Sequence, residues 1–101
     1  MIPVEKCGLD LKTQEKLNSV FKKYSDIKKV VLYGSRAKGN FKNGSDIDLT
    51  IYSEQTNTAD LLKIMNEIDD LNLPYEVDIS LFHHIDNKNL IEHIERVGLI
   101  F

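Results

Sequence analysis

Residues 30–52 read VVLYGSRAKGNFKNGSDIDLTIY, and their pattern predicts two strands joined by a short helix and a loop. The continuous apolar run at 29–33 is typical of a buried strand, which Gly34 ends. The intervening SRAKG predicts the start of a helix, and the turn-rich NFKNGS at 40–45 predicts a loop. In IDLTIY at 47–52 apolar and polar side chains alternate, which predicts a strand with one polar face.

Apolar periodicity on either side of this stretch predicts three more helices and one more strand. The helices are predicted at 11–24, 58–71 and 87–97. The strand is predicted at 76–82, where EVDISLF again alternates apolar with polar side chains. The capping residues predicted for these helices are Asp10, Thr58 and Gly98.

The predicted order of elements is α-β-α-β-α-β-α. This order indicates the α/β (α+β) class, in which helices pack on a small mixed sheet, although it does not give the strand directions. The chain of 101 residues is predicted to form one domain, 1–101, because this length can bury one core and leaves no room for a second domain.

Composition favours a globular protein. Hydrophobic residues make up 42% and charged residues 29% of the chain, which excludes a disordered or collagen-like protein. No apolar run approaches the roughly 18 residues of a membrane span, and the opening MIPVEKCGLDLK lacks the features of a signal peptide. Cys7 is the one cysteine, so neither an internal disulfide nor a cysteine zinc site is expected. We therefore expect a cytoplasmic protein without a membrane partner.

Charge is distributed unevenly along the chain. Residues 1–44 contain ten Lys and Arg against four Asp and Glu, whereas residues 45–101 contain three against twelve. The net charge of −3 argues against a nucleic-acid partner, which would require the neutralisation of phosphates. This uneven distribution of charge could place cations near a bound phosphate and carboxylates near a metal ion.

Asp46 and Asp48 share one face of the second predicted strand, because strand side chains alternate with a period of two. Like charges held this close repel, and a cation between them removes the repulsion. Asp78 lies on the polar face of the next predicted strand, so three carboxylates converge if the two strands are neighbours. Oxygen ligands of this kind favour Mg²⁺ or Mn²⁺ over zinc, and three acids can hold two ions about 4 Å apart.

Gly34 and Ser35 form a candidate phosphate-binding turn after the first strand. Glycine lets a phosphate approach the backbone, a helix N-terminus offers N–H groups, and the serine hydroxyl adds a donor. Arg36 and Lys38 offer positive charge, and the spacing is not that of a Walker A loop. Together with the three acids, this turn indicates phosphoryl or nucleotidyl transfer, in which a carboxylate can deprotonate the attacking hydroxyl.

The combination of GSRAKG, SDIDL and a further strand with one aspartate resembles the nucleotidyltransferase superfamily of DNA polymerase beta. The short chain is most similar to its minimal nucleotidyltransferase family. The resemblance implies transfer of a nucleoside monophosphate, AMP from ATP or another nucleoside triphosphate, to a hydroxyl. It implies two Mg²⁺ ions, or Mn²⁺, bound by Asp46, Asp48 and Asp78, of which Asp78 is also the candidate base. The nucleotide- and phosphate-binding residues it implies are Gly34, Ser35, Arg36 and Ser45.

The resemblance also implies a protein partner, because larger members of the superfamily have additional domains that hold the acceptor. Minimal members are often paired with a small helical protein of the HEPN type and act as the antitoxin of a toxin–antitoxin system. The acceptor would then be a tyrosine or another hydroxyl of the partner. The alternative is a non-catalytic binding module that neutralises or scaffolds a partner by occlusion, and a weaker one is a nucleotide sensor without turnover.

Some features have simpler interpretations. Each aspartate alone fits a turn or an exposed strand position, and only the set favours a metal site. His83 and His84 follow the third predicted strand, where a loop role is favoured over contact with a nucleotide. The apolar end LIF at 99–101 either folds back on the core or forms an exposed surface for association.

Overall fold

The chain folds into five helices and four strands, and a computed structural model describes all of residues 1–101. The helices are α1 (Val4–Cys7), α2 (Leu11–Phe21), α3 (Ser35–Lys38), α4 (Thr58–Asp69) and α5 (Lys88–Val97). The strands are β1 (Ile27–Tyr33), β2 (Ile47–Ser53), β3 (Val77–Leu81) and β4 (Leu99–Ile100), and a 3-10 turn at Phe82–His84 follows β3. None of the helices has the length and apolar composition needed to cross a membrane.

The four strands form one mixed sheet in the order β3-β2-β1-β4. β2 pairs antiparallel with β1 and parallel with β3, and β4 pairs antiparallel with β1. The predicted α/β class with a small mixed sheet is therefore confirmed. All seven predicted elements occur in the predicted order, and the structure adds α1 and β4, which are too short to show a hydrophobic period.

The two faces of the sheet are covered by different helices. The packed face is buried under α2 and α4, whose Leu17, Phe21 and Ile64 belong to the same core cluster. The other face is here called the site face; α5 packs over its β1 end, where Ile94 contacts Val31 and Tyr33. The alternating side chains on the packed face are Val30, Leu32, Ile47, Leu49, Ile51, Ile79 and Leu81. Those on the site face include Tyr33, Asp48, Thr50, Asp78 and Ser80.

Gln14 of α2 fixes the N-terminal segment to the core. Its fully buried side chain accepts a hydrogen bond from the Ile2 N–H at 2.9 Å and donates to the carbonyls of Ile2 and Leu9 at 2.8 and 3.0 Å. A buried amide is tolerated only when its polar atoms are paired, and here they are. The segment consequently adds Ile2, Cys7 and Leu9 to the core.

The helix caps follow the sequence signals closely. Asp10 caps α2 as predicted, because its carboxylate accepts from the Thr13 N–H. The prediction of Thr58 as the cap of α4 is wrong by one residue. Asn57 is the cap, accepting from the Asp60 N–H at 2.9 Å while the Asp60 carboxylate accepts from the Asn57 N–H. This reciprocal pair is a capping box, which satisfies two backbone donors at once.

The apolar C-terminus folds back onto the sheet, which is the first of the two outcomes left open by the sequence. β4 pairs with β1 at Val31 and Leu32, and the Phe101 N–H donates to the Val30 carbonyl at 2.8 Å. The Phe101 side chain is buried, whereas Ile100 is 64% exposed.

Gly98 joins α5 to β4 at a point where no side chain fits. Its backbone has φ −57° and ψ 141°, which any residue can adopt, so glycine is not required for a left-handed cap. A Cβ at this position would instead collide with the Ile94 carbonyl oxygen and a methyl group of Val31. Close approach of α5 to β1 therefore selects glycine.

We expect Gly98→Ala to lower the free energy of unfolding by about 1–3 kcal/mol, because the added methyl group must push α5 away from β1. Gly44→Ala is the matched control, since a Cβ there would meet no atom within 4 Å. Urea denaturation of both variants measures the difference. Equal losses in the two variants would contradict the collision.

Candidate active site

The register of β2 brings two of the three predicted carboxylates together. Asp48 lies opposite Tyr33 of β1 and beside Asp78 of the parallel strand β3. Asp48 is half-buried and Asp78 is exposed. Both strands carry their acid on the site face, so the two carboxylates lie on neighbouring strands of that face.

The turn at Gly34 packs directly on Asp48. Gly34 has φ 72° and ψ −155°, a backbone conformation that is open to glycine and strained for other residues. A Cβ at Gly34 would collide with a carboxylate oxygen of Asp48. The predicted phosphate-binding turn and the predicted metal-binding carboxylate therefore share one surface.

Ser35, the second residue of the predicted phosphate-binding turn, is half-buried at the start of α3. This helix has only four residues, and the N–H groups of Ala37 and Lys38 already donate to the Gly34 carbonyl at 3.2 and 3.0 Å. One helical turn sums few peptide dipoles, so a helix dipole would add little to the binding of an anion here. A bound anion would depend on individual donors of the turn.

The electrostatics of the site concentrate on Asp48. Burial raises the pKa of this carboxyl above its ordinary range, and the charges of Asp78 and Asp46 raise it further. Burial also raises the pKa of Tyr33, with Asp78 and Asp48 adding to the effect and a hydrogen bond with Ser80 opposing it. The site is therefore a region of negative charge that is incompletely hydrated, a setting that favours a cation.

Asp46 immediately precedes β2 and is exposed. The side chains do not gather into a group of three or more His, Cys, Asp or Glu that could hold a metal ion. The donor set itself, three carboxylates on or next to adjacent strands, fits the oxygen ligands that Mg²⁺ and Mn²⁺ prefer.

Comparison with known families identifies the fold. The sequence profile of the family described as "Polymerase beta, Nucleotidyltransferase" matches residues 15–101. The chain belongs to this family. No curated protein matches this nucleotidyltransferase chain significantly in sequence.

Solved structures with the same fold include three that this nucleotidyltransferase matches over most of its length. One is described as a nucleotidyltransferase from Sulfolobus solfataricus, with 17% identity over 90% of this chain and 78% of that chain and a TM-score of 0.57. Another is a toxin–antitoxin with AMP-PNP, with 16% identity, coverage of 91% and 72%, and a TM-score of 0.69. A third is a mutant of the toxin–antitoxin MntA-HpeT carrying two Asp-to-Glu changes two positions apart, with 13% identity, coverage of 91% and 71%, and a TM-score of 0.66.

Arg36 of the nucleotidyltransferase does not lie where the sequence analysis predicted. The residue is only 1% exposed, and its guanidinium donates to the carbonyls of Cys7 at 2.9 Å, Asn43 at 3.3 Å and Ser45 at 2.9 Å. The guanidinium carbon also lies 5.0 Å from the centre of the Tyr75 ring. The predicted phosphate contact therefore lacks an exposed group to make it, and Arg36 instead ties the N-terminal segment and the loop before β2 to α3.

Ser45 is engaged in the same loop. Its hydroxyl accepts from the Lys42 N–H at 2.8 Å, and its carbonyl accepts from Arg36. These bonds close the loop that delivers Asp46 to the start of β2. Ser45 thus supports the position of an acid, while the predicted phosphate contact stays a prediction.

His93 of α5 is a site residue that the sequence analysis missed. Its Nε2 accepts a hydrogen bond from the Gly34 N–H at 3.0 Å, and its ring meets the Tyr33 ring edge-on, with the centroids 6.2 Å apart. The sequence does indicate that His93 faces the protein, because its helical spacing places it on the same side of α5 as the apolar residues Leu90 and Val97. The other two histidines, His83 and His84, are exposed in the 3-10 turn after β3.

We expect Gly34→Ala to destabilise the nucleotidyltransferase more than Gly39→Ala. Both glycines have positive φ, 72° and 91°, so alanine costs about 1–2 kcal/mol in backbone strain at Gly39 and at least as much at Gly34, whose ψ of −155° is open almost only to glycine. Only the Cβ at residue 34 meets Asp48, whereas that at residue 39 meets no atom within 4 Å. Urea denaturation should show a further loss of about 1–3 kcal/mol for Gly34→Ala, and the same loss in both variants would refute the contact with Asp48.

The raised pKa of Asp48 predicts a pH-dependent effect of Asp48→Asn. The folded protein binds this proton more tightly than the unfolded chain, whose carboxyl has the ordinary pKa of 3.8. The stabilisation from the protonated carboxyl is complete below that pH and is lost as the pH rises through the folded-state pKa. In buffer free of divalent ions, Asp48→Asn should therefore raise stability at pH 7 and raise it less at pH 4.

The free energy of unfolding, measured at both pH values, checks this expectation. Asp26→Asn is the control, because Asp26 is exposed in the turn between α2 and β1. A gain from Asp48→Asn that is equal at both pH values would show that the charge of Asp48 is not its cause.

Proposed function

We propose that this chain is a metal-dependent nucleotidyltransferase of the minimal type, which transfers AMP from ATP to a hydroxyl of a helical HEPN-type partner. One observation carries the proposal: Asp48 lies in register beside Asp78, and the Gly34 turn packs on the Asp48 carboxylate. A triphosphate held at the turn would then lie next to the acids that bind its metal ions.

The residues proposed to bind the nucleotide and its metals lie on three neighbouring elements. Asp46, Asp48 and Asp78 would hold two Mg²⁺ ions, which Mn²⁺ can replace, and such ions neutralise phosphate charge and polarise the phosphoryl group. Gly34 leaves space for a phosphate at the backbone, and the Ser35 hydroxyl supplies a donor. Arg36 is not part of this set, because its donors are occupied by backbone carbonyls.

Asp78 is proposed to act as the base. Its exposed position makes it reachable for a hydroxyl presented by another protein. The acceptor hydroxyl gives its proton to the Asp78 carboxylate, and the acceptor oxygen forms a bond to the α-phosphorus of ATP. The bond from that phosphorus to the oxygen bridging to the β-phosphate breaks, and pyrophosphate leaves with the bonding electrons.

Similarity to toxin–antitoxin structures supports the proposed partner. One of these structures contains AMP-PNP, which is consistent with ATP as the donor. In the other, the two changed aspartates have the spacing of Asp46 and Asp48. We propose by this likeness that the chain is the antitoxin of such a pair and modifies, as its acceptor, a tyrosine or another hydroxyl of the toxin.

Labelled ATP tests the reaction. The chain is mixed with Mg²⁺ and a candidate helical HEPN-type partner, and ATP carries label on either the α- or the γ-phosphate. Label should reach the partner from the α-position alone. Asp48→Asn and Asp78→Asn should each reduce transfer by more than about 100-fold, while Asp26→Asn should not.

The outcomes separate the enzyme from a binding module. A stable complex that forms without transfer, and that persists when Asp46, Asp48 and Asp78 are all replaced, would indicate occlusion instead of catalysis. Transfer that continues undiminished in the same triple variant would show that another site performs the chemistry. Competition by unlabelled GTP, CTP and UTP measures the preference for the donor base.

A further inference from the structure

Gly34 is held from two sides by elements that are distant in sequence. Its N–H donates to Nε2 of His93 at 3.0 Å, and His93 lies 59 residues further along the chain, on α5. On its other side, its Cα lies so near the Asp48 carboxylate that a Cβ would not fit. A glycine has an unusually permissive backbone, so contacts from outside the turn are needed to fix its orientation.

The His93 ring is itself oriented by its surroundings. It meets the Tyr33 ring edge-on, at an interplanar angle of 80°. Ile94, the next residue of α5, is buried against the same strand, which anchors the helix. Because Nε2 accepts a hydrogen bond, the proton of the neutral imidazole is on Nδ1. Packing of the ring therefore directs the Nε2 atom of His93 at the Gly34 turn.

From these contacts we propose that His93 is a positioning residue for the nucleotide. Its hydrogen bond sets the orientation of the Gly34 peptide, and with it the position of Ser35 relative to Asp48. The inference rests on the proposed function, because the nucleotide is the donor of that reaction. His93 acts through Gly34 and is given no contact with the substrate. Loss of the hydrogen bond would let the turn move away from the carboxylate, which weakens nucleotide binding.

Three variants isolate the hydrogen bond. His93→Leu removes the acceptor, and His93→Gln keeps one at the end of a side chain of similar reach. His84→Leu is the matched control, because His84 is exposed and contacts the neighbouring ring of His83. If His93→Leu fails to fold by circular dichroism, His93→Asn replaces it, since its shorter side chain keeps polarity without reaching the turn.

Two readouts are made on each variant. Amide hydrogen exchange by NMR reports the Gly34 N–H directly and should be about tenfold faster in His93→Leu than in the wild type, with the Leu32 amide unchanged. Titration with AMP-PNP and Mg²⁺ should show binding weakened about tenfold in His93→Leu. His93→Gln should recover most of both effects, and His84→Leu should match the wild type.

The outcomes distinguish this inference from the proposed function. Unchanged exchange of Gly34 in His93→Leu, or faster exchange with unchanged AMP-PNP affinity, would overturn the positioning role and leave the proposed function intact. Failure of the wild type to bind AMP-PNP would overturn both. Weakened binding in His93→Leu that His93→Gln does not restore would show that the ring, and not the hydrogen bond, is what matters.

Discussion

The site depends on the pairing of β2 with strands of opposite direction on its two sides. Antiparallel pairing with β1 sets Asp48 opposite Tyr33, next to the glycine turn, and parallel pairing with β3 sets it beside Asp78. A slip of one residue would bury these acids in the core and expose Ile47 and Leu49, so burial of the apolar face fixes the register. The free energy of core packing is therefore what holds two repelling carboxylates together.

Local sequence patterns predict the site wherever its geometry is local. The two-residue period of a strand predicts that Asp48 and Asp78 lie on polar faces, as they do, and the glycine after β1 predicts the position of the turn. Asp46 precedes β2, so the period does not fix its side chain. Contacts between distant segments leave no such pattern. Arg36 follows the turn in sequence, yet its partners include the Cys7 carbonyl, and His93 reaches Gly34 across 59 residues. Pattern could identify the acids but not the residues that hold the turn.

Two charged side chains near the site differ in the groups that surround them. The buried Arg36 guanidinium is surrounded by carbonyl oxygens, so its charge is satisfied within the protein. Asp48 is half-buried beside other acids, and burial, together with the charges of Asp78 and Asp46, raises the pKa of its carboxyl. The carbonyl dipoles around Arg36 therefore compensate its charge, whereas Asp48 lies among charges of its own sign.

The brevity of β4 has a consequence for the edge of the sheet. β4 pairs with β1 only at Val31 and Leu32, and Phe101 adds one bond to Val30, so the first half of β1 has no neighbouring strand on that side. An unpaired strand edge is a template on which strands of other molecules can assemble. This stretch contains Ile27, Lys28 and Lys29, and both lysines are exposed. A strand that stacked there would have to bury their positive charge, which opposes the stacking. The lysines thus protect the molecule against edge-to-edge aggregation, a hazard that the short last strand creates.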